Sequence, residues 1–97
     1  MSYTITLQDA PSEITDRAQR NAEARFQRTL ERALGGSDEV LAAHRAWQSA
    51  EDTAESEMSA EDITLAKKWI AAATRAQTDG FRELGESEAY FEVTFGR

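Results

Sequence analysis

Met58-Ser59-Ala60-Glu61-Asp62-Ile63 decides how the helical part of this chain is divided. Ser59 followed three residues later by Asp62 resembles a capping box, in which a hydroxyl satisfies an orphan amide at a helix start, although Glu or Gln is the usual partner. Met58 and Ile63 occupy the two positions of a hydrophobic staple across the same cap. A helix therefore starts at Ser59, and the residues before Met58 belong to another one. Working back, Gly35-Gly36 marks a second joint, because glycine relieves the left-handed conformation common just past a helix end. Ser37 is the expected cap of the helix between these joints, with Asp38 and Glu39 against the positive end of its dipole.

Each segment so delimited carries an apolar stripe at helical spacing. Ile14, Ala18, Ala22, Phe26, Leu30, Ala33 and Leu34 share a face of the first helix, with Asp9 or Ser12 as its cap and Pro11 in its first turn. The second stripe is Val40, Ala43, Trp47, Ala50, Ala54 and Met58, thin in its second half. The third is Ile63, Ala66, Ile70, Ala73 and Ala76, then Phe81 and Leu84, with Trp69 flanking it and Gly80 or Gly85 as the stop. At the two ends the period changes to two. Tyr3, Ile5 and Leu7 alternate with Thr4, Thr6 and Gln8, and Phe91, Val93 and Phe95 alternate with Tyr90, Glu92 and Thr94, each a half-buried strand.

The fold predicted is mainly α with a small β element. Three antiparallel helices are flanked by short N- and C-terminal strands, β-α-α-α-β, in a single domain over residues 1–97. If successive helices alternate in direction, an odd number of them returns the second strand parallel to the first. Two strands are marginal alone and both are edges, so pairing between subunits, as in a homodimer, is a live alternative.

At 97 residues the chain can bury about 60–65% of the surface its unfolded form exposes, enough for one modest core. Much of its apolar fraction is alanine, which favours close helix packing and contributes little burial per residue. Cysteine is absent, which removes disulfides, thiol nucleophiles and cysteine zinc sites and suits a reducing cytoplasm. No apolar run approaches the ~20 residues that cross a bilayer, and the first residues lack the basic start and apolar segment of a signal peptide. A cytoplasmic location is therefore expected. A pI near 4.6 argues against direct contact with nucleic acid or an anionic membrane.

That acidity is concentrated. Residues 1–36 carry five acids and five bases, and residues 63–97 carry five of each. Between them lie eight acids (Asp38, Glu39, Glu51, Asp52, Glu55, Glu57, Glu61 and Asp62) against one base, Arg45, so this segment holds the whole formal charge of −7. A concentrated deficit makes a directional field and a docking surface for a partner with exposed lysines and arginines. The bland reading of the same block is solvated surface that keeps a small protein soluble.

Other chemistry is sparse. His44 is the only histidine, with no second histidine, cysteine or metal-ligand spacing beside it, and reads as a residue at the core boundary. The serines lack an elbow motif, and Gly35-Gly36 is an isolated pair, not a phosphate loop. Glu51 and Glu55 sit in an exposed polar run with nothing apolar to raise one pKa for acid–base work. Asp52, Glu55 and Glu57 lack the spacing of a calcium loop and fall where a helix is expected. Arg17, Arg25, Arg28 and Arg32 form a basic stripe on the first helix without the interleaved aromatics of a single-strand binder, and read as a solvated face, with Glu31 and second-helix acids as the candidate pairing partners.

No catalytic residue, cofactor or metal site is assigned. The sequence points to a non-enzymatic acidic protein that docks on a basic, nucleic-acid-handling protein partner and inhibits or modulates it through Glu51, Asp52, Glu55, Glu57, Glu61 and Asp62. In size and charge, though in no motif, the chain is similar to small acidic inhibitors carried by phages and plasmids, including anti-CRISPR proteins and DNA mimics. The alternative is a structural or assembly subunit that self-associates through its terminal strands.

Overall fold

The computed structural model describes residues 3–82 and 89–95. The order is β1 (Tyr3–Gln8), α1 (Asp16–Leu34), α2 (Ser37–Asp52), a short 3-10 turn (Glu55–Glu57), α3 (Ala60–Gly80) and β2 (Tyr90–Phe95). The mainly helical β-α-α-α-β architecture expected from the sequence is the one observed.

Several boundaries differ from expectation, each for a local reason. Asp9 adopts a left-handed φ of 53° and turns the chain after β1, so it is spent there and not on a cap. The Pro11 carbonyl accepts from the Ile14 amide at 3.0 Å, closing a turn ahead of the helix that leaves Pro11 outside its first turn. Thr15 is the cap instead, its Oγ1 accepting from the Ala18 amide at 3.1 Å. At the next joint Gly35 (φ 104°) and Gly36 (φ 139°) both donate to the Glu31 carbonyl, at 2.7 and 3.0 Å. The Gly36 carbonyl then accepts directly from Val40, which makes Gly36 the cap and Ser37 the first helical residue. α2 stops at Asp52, short of Ala54 and Met58. Ser59 behaves as predicted, its Oγ accepting from the Asp62 amide at 3.1 Å. α3 ends at Gly80; Leu84 and Gly85 lie outside the described residues.

The strands pair antiparallel, Tyr3 opposite Phe95 and Gln8 opposite Tyr90, not parallel as a strictly alternating helix path requires. The missing reversal lies at Gly35-Gly36. Thr29 of α1 bonds Asp79, and Ala33 lies beside Lys68 and Ala72, so α1 runs antiparallel along the second half of α3. His44 meets Trp69, and Ala50 lies beside Ile63, so α2 runs antiparallel along the first half. α1 and α2 therefore travel in the same general sense, packing mainly on α3 and little on one another. End to end they would span about 52 Å, in keeping with a molecule 46 Å long and 24 × 22 Å across. One reversal fewer leaves the strands antiparallel.

Alanine makes this packing close and aromatic rings fill what alanine leaves. Ala22, Ala43, Ala66, Ala72 and Ala76 are buried along the helix interfaces around Phe26, Leu30, Val40 and Trp69. α3 is rotated relative to the expected stripe: Trp69 is buried, whereas Ile70 is 54% exposed. β2 completes the core from one side. Phe91 stacks on Phe26 with centroids 4.6 Å apart and lies 4.9 Å from Phe81, while Phe95 reaches His44 at 4.4 Å and Tyr3 at 5.8 Å.

β1 is fastened to α1 by two carboxylates. The Leu7 amide donates to Glu23 Oε2 at 2.8 Å, and the Tyr3 hydroxyl donates to Glu31 Oε1 at 2.6 Å. Glu23, Gln27 and Glu31 recur every four residues and so share one side of α1. Burial, the Glu31 hydrogen bond and its charge together push the Tyr3 phenol above its usual range. Since Leu7 donates away from the ladder, the outer edge of β1 faces α1 and is engaged at that point.

Gly80 sits where α3 meets this aromatic seam. A Cβ there would lie 2.6 Å from the Phe91 ring and 3.4 Å from the Ala22 carbonyl oxygen. Phe91 is held between the Phe26 and Phe81 rings, so it must shift against them to make way. Gly80→Ala is expected to destabilise by about 1–3 kcal/mol through overpacking, although glycine to alanine in a helix ordinarily stabilises. Denaturant unfolding checks the sign, and combination with Phe91→Ala should abolish the penalty.

Candidate interaction site

The six carboxylates singled out in the sequence lie on consecutive elements at one end of the molecule. Glu51 and Asp52 close α2, Glu55 and Glu57 bound the 3-10 turn, and Glu61 and Asp62 stand in the first turn of α3. All six are exposed. Among the described residues none of them is ion-paired to a lysine or arginine. The calcium-loop residues were expected on a helix; Asp52 is on α2, but Glu55 and Glu57 are in the 3-10 turn.

Local electrostatics divides the six into groups. Glu61 and Asp62 face the positive end of the α3 dipole, where a carboxylate helps the helix, and Asp62 also donates its amide to the cap. Glu51 and Asp52 occupy the last turn of α2, which contains no base, and there the same dipole opposes them. Folding explains the first pair and does not explain the second.

The structure also distributes the acids over more than one face. Glu51 and Glu55 rim a cleft of about 270 Å³ between α2 and α3 whose walls include Trp47, Met58, Ile63 and Ile70. Glu51 and Asp52 border a shallower, more polar depression with Arg45, Gln48 and Ser49. Glu57, Glu61 and Asp62 line neither. The cleft exists because Ala50 and Ala66 are too small to close the helix pair at its open end, while Met58 and Ile63 are only half buried. Sequence reading assigned Ile70 to the core and so missed this apolar surface. The signal available was the isoleucine pair at 63 and 70 with the smaller Ala66 and the charged Lys67 between them.

His44 is not at the core boundary. It is 9% exposed, with Trp69 edge-on at 4.8 Å, Phe95 at 4.4 Å and Trp47 at 5.6 Å. Phe95 arrives from the far end of the chain, so helix periodicity could not reveal this burial. Desolvation holds the imidazole below its ordinary pKa of 6.5. Trp69 lies in the core, and Trp47 is half buried between the core and the cleft. Arg17, Arg28 and Arg32 are exposed and Arg25 is half buried. Glu31, one suggested partner for that stripe, is instead engaged by Tyr3 and Gln27.

Among the described residues no three histidine, aspartate or glutamate side chains converge as metal ligands, and no helix is long and apolar enough to cross a membrane. Comparisons with protein-family models, curated proteins and solved structures find no match.

Two measurements follow from these placements. Replacing Glu51 and Asp52 by glutamine and asparagine should leave the protein as stable or slightly more stable. The same change at Glu61 and Asp62 should lower stability, each dipole effect amounting to about 0.3–1 kcal/mol before screening by solvent and salt. Thermal unfolding of the two double variants compares them directly. For His44, the depressed folded pKa means the unfolded chain binds more protons, so stability falls as pH drops from 6.5 toward the folded value. A stability–pH profile of His44→Phe should lack that part of the wild-type slope.

Proposed function

We propose that the chain is a non-enzymatic binding protein that docks on a basic, nucleic-acid-handling protein through the acidic end formed by α2, the 3-10 turn and α3. The observation that carries this reading is the placement of Glu51 and Asp52. They are exposed, share no ion pair with a described base, and stand at the helix end where their charge is least favourable to folding. A partner's lysines or arginines would relieve carboxylate repulsion and interact favourably with the negative end of α2 at once. Glu55, Glu57, Glu61 and Asp62 extend the same field around the end of the molecule.

Such a surface competes with phosphates for a cationic groove, and its binding weakens as salt screens the contact. On this reading the protein blocks or modulates its partner, in the manner of a nucleic-acid mimic or an anti-CRISPR-type inhibitor from a phage or other mobile element. The cytoplasm, where nucleic-acid-handling proteins work, is the compartment this requires. Self-association through the terminal strands finds less support, since the two strands already pair with each other and Leu7 on β1 spends its outward amide on Glu23.

The test is affinity capture from an extract of the source cells with a salt gradient for elution. The expected outcome is retention of a basic protein by the wild-type chain and its elution at much lower salt from a Glu51→Lys, Asp52→Lys, Glu55→Lys variant. Equal retention by the two would remove the electrostatic mechanism.

A further inference from the structure

We infer that the cleft between α2 and α3 receives a large apolar side chain of the partner, from a segment whose neighbouring residues are lysine or arginine. This deepens the functional reading above and rests on it. Three features of the cleft select that occupant. The first is its lining: Trp47, Met58 and Ile63 are half buried there, and Ile70 is among the most exposed large apolar side chains of the described structure, at 54%. An isoleucine turned outward beside a half-open tryptophan is the kind of surface that anchors an interface, where a few buried apolar and aromatic groups dominate affinity.

The second feature is size. At about 270 Å³ the cleft falls just short of the ~300–1,000 Å³ typical of pockets that enclose small-molecule ligands. It is open on one side and suits an inserted side chain better than an enclosed cofactor or metabolite.

The third feature is its rim. Glu51 on α2 and Glu55 on the 3-10 turn border one side, and Lys67 on α3 borders the other. A partner segment would therefore seat its apolar residue on Ile70 and Trp47 and direct its cations toward α2, since Lys67 repels them on the opposite wall. The arrangement adds selectivity to what carboxylates alone provide. A purely cationic strand satisfies the rim and leaves the apolar floor wet, whereas an amphipathic basic segment satisfies both.

The experiment uses two fluorescently labelled synthetic peptides: a lysine-rich amphipathic helix with leucines along one face, and a twin with serine in place of leucine. Binding is read by fluorescence anisotropy against the wild type, Ile70→Ser, and Glu51→Lys with Glu55→Lys. The wild type should bind the leucine peptide roughly tenfold more tightly than the serine twin. Ile70→Ser should bring the two within about twofold with no fall in unfolding temperature, since Ile70 is exposed in the free protein; the charge-reversed variant should lose both. Equal wild-type binding of the two peptides overturns the cleft inference while leaving acidic docking intact. A leucine preference that survives Ile70→Ser overturns it as well, and so does failure of the leucine peptide to bind, in which case the functional reading is judged by the capture experiment alone.

Discussion

Helices lined with alanine can approach closely, but alanine has too little bulk to fill the space where three of them diverge. In this protein Phe91 and Phe95 of β2 supply that bulk. Phe91 lies between Phe26 of α1 and Phe81 beyond α3, over the site where Gly80 omits a side chain. Phe95 covers His44 of α2 and meets Tyr3 of β1. One six-residue strand thus touches every other major element, and it is held in register only by β1. An isolated two-stranded ribbon is marginal. The ribbon and the helices therefore stabilise each other, and the core is complete only when the two ends of the chain have met.

The same constraint explains the outline of the molecule. With α1 and α2 laid in succession along α3, the helix pair α2–α3 projects beyond the aromatic seam, and at its far end the small Ala50 and Ala66 leave Trp47, Met58, Ile63 and Ile70 around an open cleft. That end is where most of the surplus charge resides. The body of the molecule is charge-balanced in sequence and tied together by carboxylates with defined partners: Glu23 and Glu31 on β1, and Asp79 on Thr29 and Arg82. The acidic end has no comparable internal ties among the described residues. Carboxylates that hold the fold and the exposed carboxylates of the acidic end are therefore spatially separated.

Much of this was legible in the chain because the signals were local. Ser59 caps α3, Gly35-Gly36 ends α1, and the period-two patterns at both ends mark strands, since each depends only on backbone chemistry within a few residues. Exposure of the six acids followed in the same way, because an unpaired carboxylate has no stable place in a small core. The boundaries that shifted did so through competition between neighbours. Asp9 was taken by a turn and Thr15 became the cap, while Gly36 displaced Ser37 at the start of α2.

What the sequence by itself determined is the set of elements and the location of the net charge, both properties of short windows. The tertiary structure alone decided the direction of the path, the rotation of α3 and the neighbours of each charge. Whether Gly35-Gly36 reverses the chain or carries it onward depends on which helix offers the better packing surface, and here that is α3 for both α1 and α2. Turning Trp69 inward places Ile70 outside, a choice set by rings that arrive from β2 across the whole length of the chain. Periodicity reports which side of a helix is apolar; only packing against distant residues decides which part of that side is buried and which part remains open to a partner.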